Sequence, residues 1–197
     1  MKKKSLMLYL FAQLLICFLY SCNENKEITK QVDYWKGRKI ELPSLNLARE
    51  LENENPLKKE IKVLTIIDGG CGICIEELKQ WKIFMNKIDL RKVGFIYLCS
   101  SGDDLQYFKK IYKDSIKINY PYFEDIGRKI FKKNKFSSNK LFQTFLLDSN
   151  DKVVLIGNPN ESEKMNKIYL REIEKLIDSS GDNYKIQTTD DYYFCAI

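Results

Sequence analysis

Two cysteines three positions apart, Cys71 and Cys74, are the residues of this 197-residue chain whose type and spacing could carry chemistry. Thiols in a C-x-x-C pattern can exchange disulfides with other proteins, form a structural disulfide, or supply half of a zinc site. The chain contains no histidine, so a zinc site would need Cys99, Cys195 or carboxylates as its other ligands. The same absence excludes Ser-His-Asp and Cys-His catalysis. The pattern favours redox chemistry, with a structural pair as the alternative and a metal site as the least favoured reading.

The pair is predicted to lie where a buried strand turns into a helix. Residues 61–68 form a nearly continuous apolar run, which is typical of a strand buried on both faces. Gly69 and Gly70 then lead into the cysteines, and a helix follows. The apolar positions of this helix recur at three- and four-residue spacing and share one face: Cys74, Leu78, Trp81, Met85 and Ile88.

This placement predicts different roles for the two thiols. The unpaired N–H groups and the dipole of a helix N-terminus favour a thiolate, so we expect a lowered pKa and a nucleophilic Cys71. Cys74, one turn further along and on the buried face, is placed to resolve a mixed disulfide formed on Cys71. Glu76 and Glu77 are expected to be first-turn acids that favour the helix dipole, with tuning of the local pKa as the alternative.

The rest of the chain continues the alternation of strands and helices. Two βα units, a hairpin and a closing helix predict an α/β sandwich with a mixed sheet. The expected strands or extended segments are residues 93–98, 118–123, 141–147 and 153–156, and a further strand is possible at 35–43. One expected helix begins near residue 105, and two more span residues 126–133 and 161–178.

The strand–C-x-x-C–helix unit resembles the thioredoxin superfamily, and more closely its membrane-anchored TlpA-like and redoxin-type thiol–disulfide oxidoreductases. Residues 120–125 (YPYFED) resemble the family's aromatic-Pro-aliphatic stretch ending in Asp, and residues 144–148 with 152–154 resemble its late hairpin. The resemblance covers about residues 61–178. It implies a thioredoxin-like three-layer α/β sandwich with a central mixed sheet, and a C-x-x-C pair that works without a small-molecule cofactor.

The chain departs from the family pattern at two positions. Gly70 stands where the family usually has Trp or another bulky residue before the first cysteine. Phe142 stands where the family has a cis-proline that faces the pair and helps bind the substrate chain, so Phe142 is the substrate-facing candidate. A cis peptide before a residue other than proline costs about 2.5–4 kcal/mol, so we expect a trans bond before Phe142. The PxxxTxxC pattern of thioredoxin-like peroxidases is not matched before Cys71.

The first residues predict export and a lipid anchor. Three lysines precede an uncharged apolar run over residues 6–20, which is the pattern of a signal peptide and is short for a membrane-spanning helix. Leu19-Tyr20-Ser21-Cys22 resembles the lipobox of bacterial lipoproteins, which implies lipid on Cys22; a plain secretory signal or an uncleaved anchor is the alternative. The predicted organisation is a signal peptide over 1–21, a lipid-anchored tether over 22–34, a thioredoxin-like domain over 35–178 and a C-terminal tail over 179–197.

Charge and composition add limits on the partners. The net charge of +6 includes the three leader lysines, and the lysines of the remaining chain are interleaved with acids, so no nucleic-acid partner is expected. The sequence predicts a membrane-anchored thiol–disulfide oxidoreductase in the cell envelope, facing the periplasm. Its expected partners are thiols or disulfides of exported proteins, the membrane through Cys22, and an upstream redox partner. The alternative is a redox-inactive thioredoxin-like binding scaffold with a structural disulfide.

The other two candidate cysteines receive weaker predictions. Cys99 ends the strand that follows the C-x-x-C helix, and we expect a buried thiol there, with a third participating thiol as the alternative. Cys195 is expected to be exposed, and the sequence gives it no role.

Overall fold

The computed structural model describes residues 26, 28–49, 55–102, 105–118 and 120–179, the side chains of Leu47 and Arg49 excepted. The chain divides into two compact units, one of Met1–Trp35 with Thr188–Ile197 and one of Lys36–Gln187. In the first unit, a helix includes residues 28–35 (α1). The predicted signal peptide, Cys22, Cys195 and the tail beyond Ser179 lie outside the described residues, so the predicted domain boundaries stay predictions. None of the helices described is long and apolar enough to cross a membrane.

The second unit is built on one mixed sheet of six strands, which confirms the predicted sheet type. Its strands are β1 (Ala48–Arg49), β2 (Ile61–Asp68), β3 (Val93–Ser101), β4 (Tyr122–Ile126), β5 (Thr144–Leu147) and β6 (Val153–Ile156). They lie in the order β1-β4-β3-β2-β5-β6. The neighbours β2, β3 and β4 run parallel, while β1, β5 and β6 each pair antiparallel with their neighbours. The strand that precedes the cysteine pair, β2, is therefore central.

The described residues of this unit form the α-helices α2 (Gly72–Met85), α3 (Gln106–Ile111), α4 (Lys129–Asn134) and α5 (Glu163–Ser179). Helices α2 and α5 cover the same face of the sheet. Trp81 of α2 contacts Phe95 of β3, and Phe84 of α2 contacts both Phe95 and Tyr169 of α5. Edge-to-face aromatic contacts of this kind add to the stabilisation that comes from burial. The core beneath the cysteine helix therefore contains a cluster of aromatic rings.

Helix α4 covers the opposite face, which completes the predicted three-layer sandwich. Phe131 of α4 contacts Phe136, and Phe136 contacts Phe145 of β5. Phe145 is in register with Leu64, whose neighbour Val63 is in register with Phe95. Because successive strand residues point to opposite faces, Phe145 and Phe95 lie on different sides of the sheet.

Asp125 explains why the YPYFED stretch ends in an acid. Its buried carboxylate accepts hydrogen bonds from the backbone N–H groups of Ile130 at 2.9 Å and Phe131 at 3.0 Å, and from the Ser100 hydroxyl at 3.1 Å. A helix leaves its first N–H groups without partners inside the helix, and a carboxylate satisfies them. The side chain thus joins the end of β4 to the beginning of α4.

The structure corrects several predicted element bounds. The extended segment predicted at 118–123 becomes strand only from Tyr122, and the helix predicted from residue 126 begins at Lys129. The turn between them places Gly127 at φ +76° and Arg128 at φ +56°, conformations that a continuous helix does not allow. The segment predicted as a strand at 35–43 makes a single antiparallel bridge, between Lys39 and Lys152.

A further correction falls beside the cysteines. Residues 141 and 142 were predicted to open β5, but they belong to a 3-10 turn over Lys140–Phe142, here called the 140–142 turn. The side chain of Asn139 accepts a hydrogen bond from the Leu141 N–H at 3.1 Å and caps this turn. Local capping by Asn competes with strand pairing, so β5 begins only at Thr144.

Candidate active site

A short loop at the end of β2 holds the first cysteine in place. The backbone carbonyl of Asp68 accepts the Cys71 N–H at 3.1 Å, and the Asp68 carboxylate accepts the Gly70 N–H at 2.9 Å. Gly69 has no room for a side chain, since a Cβ there would lie 2.2 Å from Cδ2 of Leu105. The loop is therefore closed by its own backbone and packed against the residue that precedes α3.

Cys71 is the N-cap of α2. Its backbone is extended, with φ −97° and ψ 106°, and its Sγ accepts a hydrogen bond from the Cys74 N–H at 3.3 Å. The sulfur thus lies against the unpaired N–H groups of the helix, where negative charge is favoured. Cys71 and Cys74 form a disulfide with a Cα–Cα distance of 5.3 Å.

The two sulfurs differ in their access to solvent. Cys71 is half-buried, whereas Cys74 is only 7% exposed and belongs to the buried face of α2. A thiol or disulfide of another protein can therefore approach Cys71, while Cys74 is reached through Cys71. This is the arrangement that the sequence predicted for a nucleophile and a resolving thiol; the roles themselves stay predictions.

The surface around Cys71 is apolar, with a cation beside it. Ile73 is 73% exposed, Leu141 is exposed in the 140–142 turn, and the exposed Tyr107 has its hydroxyl 3.4 Å from where a Cβ on Gly72 would lie. We call Ile73, Tyr107 and Leu141 the apolar rim. Lys140, next to Leu141 and also exposed, places its Nζ 3.8 Å from Sγ of Cys71.

Comparison with known proteins supports the fold. No protein-family model and no curated protein match the chain. Among solved structures, a thioredoxin-like superfamily protein is 14% identical with a TM-score of 0.53, over 77% of this chain and 99% of that one. A thioredoxin-like protein from Aeropyrum pernix is 13% identical with a TM-score of 0.46, over 58% of this chain and 78% of that one. The reduced N-terminal domain of PilB from N. meningitidis is 18% identical with a TM-score of 0.46, over 58% and 81%.

The first of these structures is matched along almost its whole length. The fold is thioredoxin-like. Similarity at this level of identity establishes the fold alone, because one fold hosts many activities. The activity has to be argued from the geometry around Cys71.

Phe142 is buried in this thioredoxin-like fold, and its backbone neighbours are bonded within the chain. The peptide bond before it is trans, as predicted, and its ring is buried, with 4% exposed. The Phe142 N–H donates to the Asn139 carbonyl, the Gln143 N–H donates to the Lys140 carbonyl, and the Gln143 carbonyl accepts the Ile66 N–H. These backbone groups are therefore bonded within the chain. The surface beside Cys71 is formed by Lys140 and Leu141, and a substrate-facing role for Phe142 stays a prediction.

The acids of α2 are placed differently from expectation. The first turn of the helix contains no acidic residue, because the helix begins at Gly72 and the two glutamates fall in its second turn. Glu76 forms an ion pair with Lys79. Burial raises the pKa of Glu77 and is the largest effect on it. The positive charge of Lys140 acts in the opposite direction, and the negative charge of Glu161 raises this pKa slightly further. The prediction of first-turn acids is wrong. The alternative, that these glutamates tune the local pKa beside the cysteines, stays a prediction.

Cys99 is a fully buried thiol in β3, in register with Ile67. Burial raises its pKa well above the ordinary value, and the nearby Glu124 raises it further. A thiol held in its protonated form is a poor nucleophile, so the structure favours the buried thiol over a third participating one. In the part of the chain that the structure describes, no group of three or more Cys, Asp or Glu side chains is arranged to hold a metal ion.

Sequence reasoning missed Lys140 and Tyr107. Lys140 is 69 positions from Cys71, and no local pattern connects them. The available signal was its position two residues before Phe142, which the resemblance had already placed beside the pair.

Proposed function

We propose that the protein is a membrane-anchored thiol–disulfide oxidoreductase that acts on exported proteins through Cys71 and Cys74. One observation carries the proposal: the half-buried Cys71 caps the N-terminus of α2 and is disulfide-bonded to the buried Cys74. A purely structural disulfide gains nothing from this asymmetry. Thiol–disulfide exchange depends on it, because one sulfur must react with the substrate while the other stays protected until the mixed disulfide has formed.

The reaction needs two successive exchanges. In the reducing direction, the Cys71 thiolate attacks one sulfur of a substrate disulfide, a mixed disulfide forms, and the other substrate sulfur leaves as a thiolate that takes up a proton. The Cys74 thiol then loses its proton and attacks Sγ of Cys71. The second substrate thiol is released and the Cys71–Cys74 disulfide forms. Two electrons and two protons have passed to the substrate, and a dithiol partner of the same chemical class must return them.

Reduction of insulin by dithiothreitol provides the direct test. Wild-type protein should accelerate the precipitation of the insulin B chain, and Cys71→Ser should leave only the uncatalysed rate, because the accessible sulfur is gone. Cys99→Ala is the matched control: it removes a cysteine that is buried away from solvent, so activity should be kept. A wild type no faster than Cys71→Ser would contradict the proposal.

The 140–142 turn favours a second candidate, a redox-inactive binding scaffold. In the resembled family, backbone groups at the cis-proline pair with a substrate chain, whereas here the N–H groups of Leu141, Phe142 and Gln143 are bonded internally. The same insulin assay with Phe142→Pro separates the two. An oxidoreductase should gain substrate range from this change. A scaffold should stay inert in both forms, with a disulfide that resists mild reductant.

The location in the envelope rests on the leader. Cleavage after residue 21 would leave Cys22 as the acylated first residue, with residues 22–34 as the tether. Metabolic labelling with palmitate should mark the wild type and Cys17→Ala equally, because Cys17 lies in the apolar run that is removed. Cys22→Ala should lose the label. Equal labelling of Cys22→Ala would overturn the anchor and leave the redox proposal intact.

A further inference from the structure

Lys140 is held beside the cysteine pair by the 140–142 turn. The turn is capped by Asn139 and closed by the hydrogen bond from the Gln143 N–H to the Lys140 carbonyl. Gln143 is also tied to the end of the central strand through the Ile66 N–H. The backbone of Lys140 is thus fixed relative to β2, and its exposed side chain reaches over to place Nζ 3.8 Å from Sγ of Cys71.

On this geometry, and on the function proposed above, we propose that Lys140 is a catalytic residue whose ammonium group stabilises the thiolate of Cys71. Opening of the disulfide places a full negative charge on that sulfur. The Cys74 N–H already donates to it at 3.3 Å, and Lys140 adds a full positive charge on the solvent side. The two contributions come from different elements, the N-terminus of α2 and the 140–142 turn.

Several charged groups bear on this pair. From α2, Glu77 attracts Lys140, and Glu161, in the segment before α5, also acts on Glu77. At the end of β2, the Asp68 carboxylate is engaged by the Gly70 N–H. Glu76 is paired with Lys79 on α2. Glu77 therefore competes with the thiolate for Lys140, and the ammonium can move towards Sγ when reduction creates the charge there.

The expected size of the effect follows from contact distance and exposure. A unit charge about 4 Å away in solvent shifts an ionisation by roughly half to one pKa unit. At a pH below the Cys71 pKa, this corresponds to roughly three to ten times more thiolate. The reaction rate should rise by a smaller factor, because a thiolate of lower pKa is also a weaker nucleophile. Because the thiolate is the reduced form, the same contact should favour reduction of the disulfide in exchange with glutathione by a similar factor.

The test measures the ionisation of Cys71 in a Cys74→Ser background of the full chain, which keeps Cys71 as a thiol. The rate of iodoacetamide labelling is followed against pH on the peptide that contains Cys71, by mass spectrometry. Lys140→Met should raise the Cys71 pKa by roughly half to one unit, and Lys140→Arg should keep it near the parent value. High salt should raise the pKa in the parent more than in Lys140→Met, because salt screens exposed charges.

Lys82→Met is the matched control. Lys82 is exposed on the same helix, eleven residues beyond Cys71, which is about 16 Å along the axis and beyond the Debye length of about 8 Å in physiological salt. This change should leave the pKa unaltered. Equal pKa values in the parent and Lys140→Met, or equal shifts from Lys82→Met and Lys140→Met, would overturn the proposal. Since no substrate is turned over, the result is independent of the insulin assay: an inactive protein can still show the shift, and an active one can lack it.

Discussion

Replacement of Cys74 by serine should convert the protein into a trap for its own substrates. Cys71 keeps its place at the N-terminus of α2 and can still attack a substrate disulfide. The mixed disulfide then persists, because the sulfur that would attack it, 5.3 Å away between Cα atoms, has been removed. On non-reducing gels, envelope extracts should show new high-mass bands that contain the protein and disappear with dithiothreitol. Insulin reduction should fall to the uncatalysed rate.

The matched controls for trapping are the two other cysteine variants. Cys71→Ser should form no such bands, since Cys74 is only 7% exposed and is reached through Cys71. Wild-type protein should show few, because Cys74 resolves each complex. Cys74→Ser combined with Cys99→Ala should trap as well as Cys74→Ser alone. Stronger bands in Cys71→Ser than in Cys74→Ser would reverse the assigned roles, and the absence of bands from both variants would favour the scaffold.

The central part of the fold could be predicted because its signals are local. A buried apolar run followed by Gly69 and Gly70 and a three- and four-residue apolar spacing already specify β2, the loop and α2. The structure agrees with β2 to the residue. It begins α2 at Gly72, with Cys71 as the cap. The Asp125 carboxylate was recognised through the resemblance, and its contacts with the N–H groups of α4 now give a physical reason for it.

The rim of the site could not be predicted in this way because it is assembled from distant segments. Tyr107, Lys140 and Leu141 belong to two different parts of the chain that come together only once β2, β3 and β5 are in register. The sequence also did not predict the 140–142 turn, because its apolar residues Leu141 and Phe142 fit the beginning of a strand. Capping by Asn139 decides the conformation there, and an N-cap is a weaker pattern than an apolar run.

The cysteine pair comes from one short stretch of sequence, whereas the surface around it comes from distant segments, and this difference bears on the proposed function. The cysteine pair and its helix are determined by residues within a short stretch, so the proposed disulfide exchange would rest on a local feature of the sequence. The 140–142 turn lies beside the pair, and the N–H groups of Leu141, Phe142 and Gln143 are bonded within the chain. Substrates would therefore be selected by the side chains of the apolar rim and by Lys140, and less by backbone pairing.

The largest loss of stability is expected from Trp81, the aromatic centre of α2. Its side chain is 2% exposed and meets Phe84, Phe95 and Tyr97 edge-on, with ring centroids 5.8, 6.1 and 6.2 Å away. Trp81→Ala leaves a cavity that the surrounding rings can close only in part, and such changes cost about 3–5 kcal/mol. Urea denaturation of the oxidised protein should show a reduction in the free energy of unfolding of that size.

Ile83→Ala is the matched control, because Ile83 is on the same helix two positions away but is 55% exposed. Its effect should stay within about 0.5 kcal/mol, as is usual for surface changes. Trp81→Phe should fall between the two, since it keeps an aromatic ring in the cavity. The order Trp81→Ala, Trp81→Phe, Ile83→Ala follows from packing alone. If Trp81→Ala and Ile83→Ala cost the same, α2 does not pack on the sheet as described, and the position of Cys71 at its N-terminus would have to be reconsidered with it.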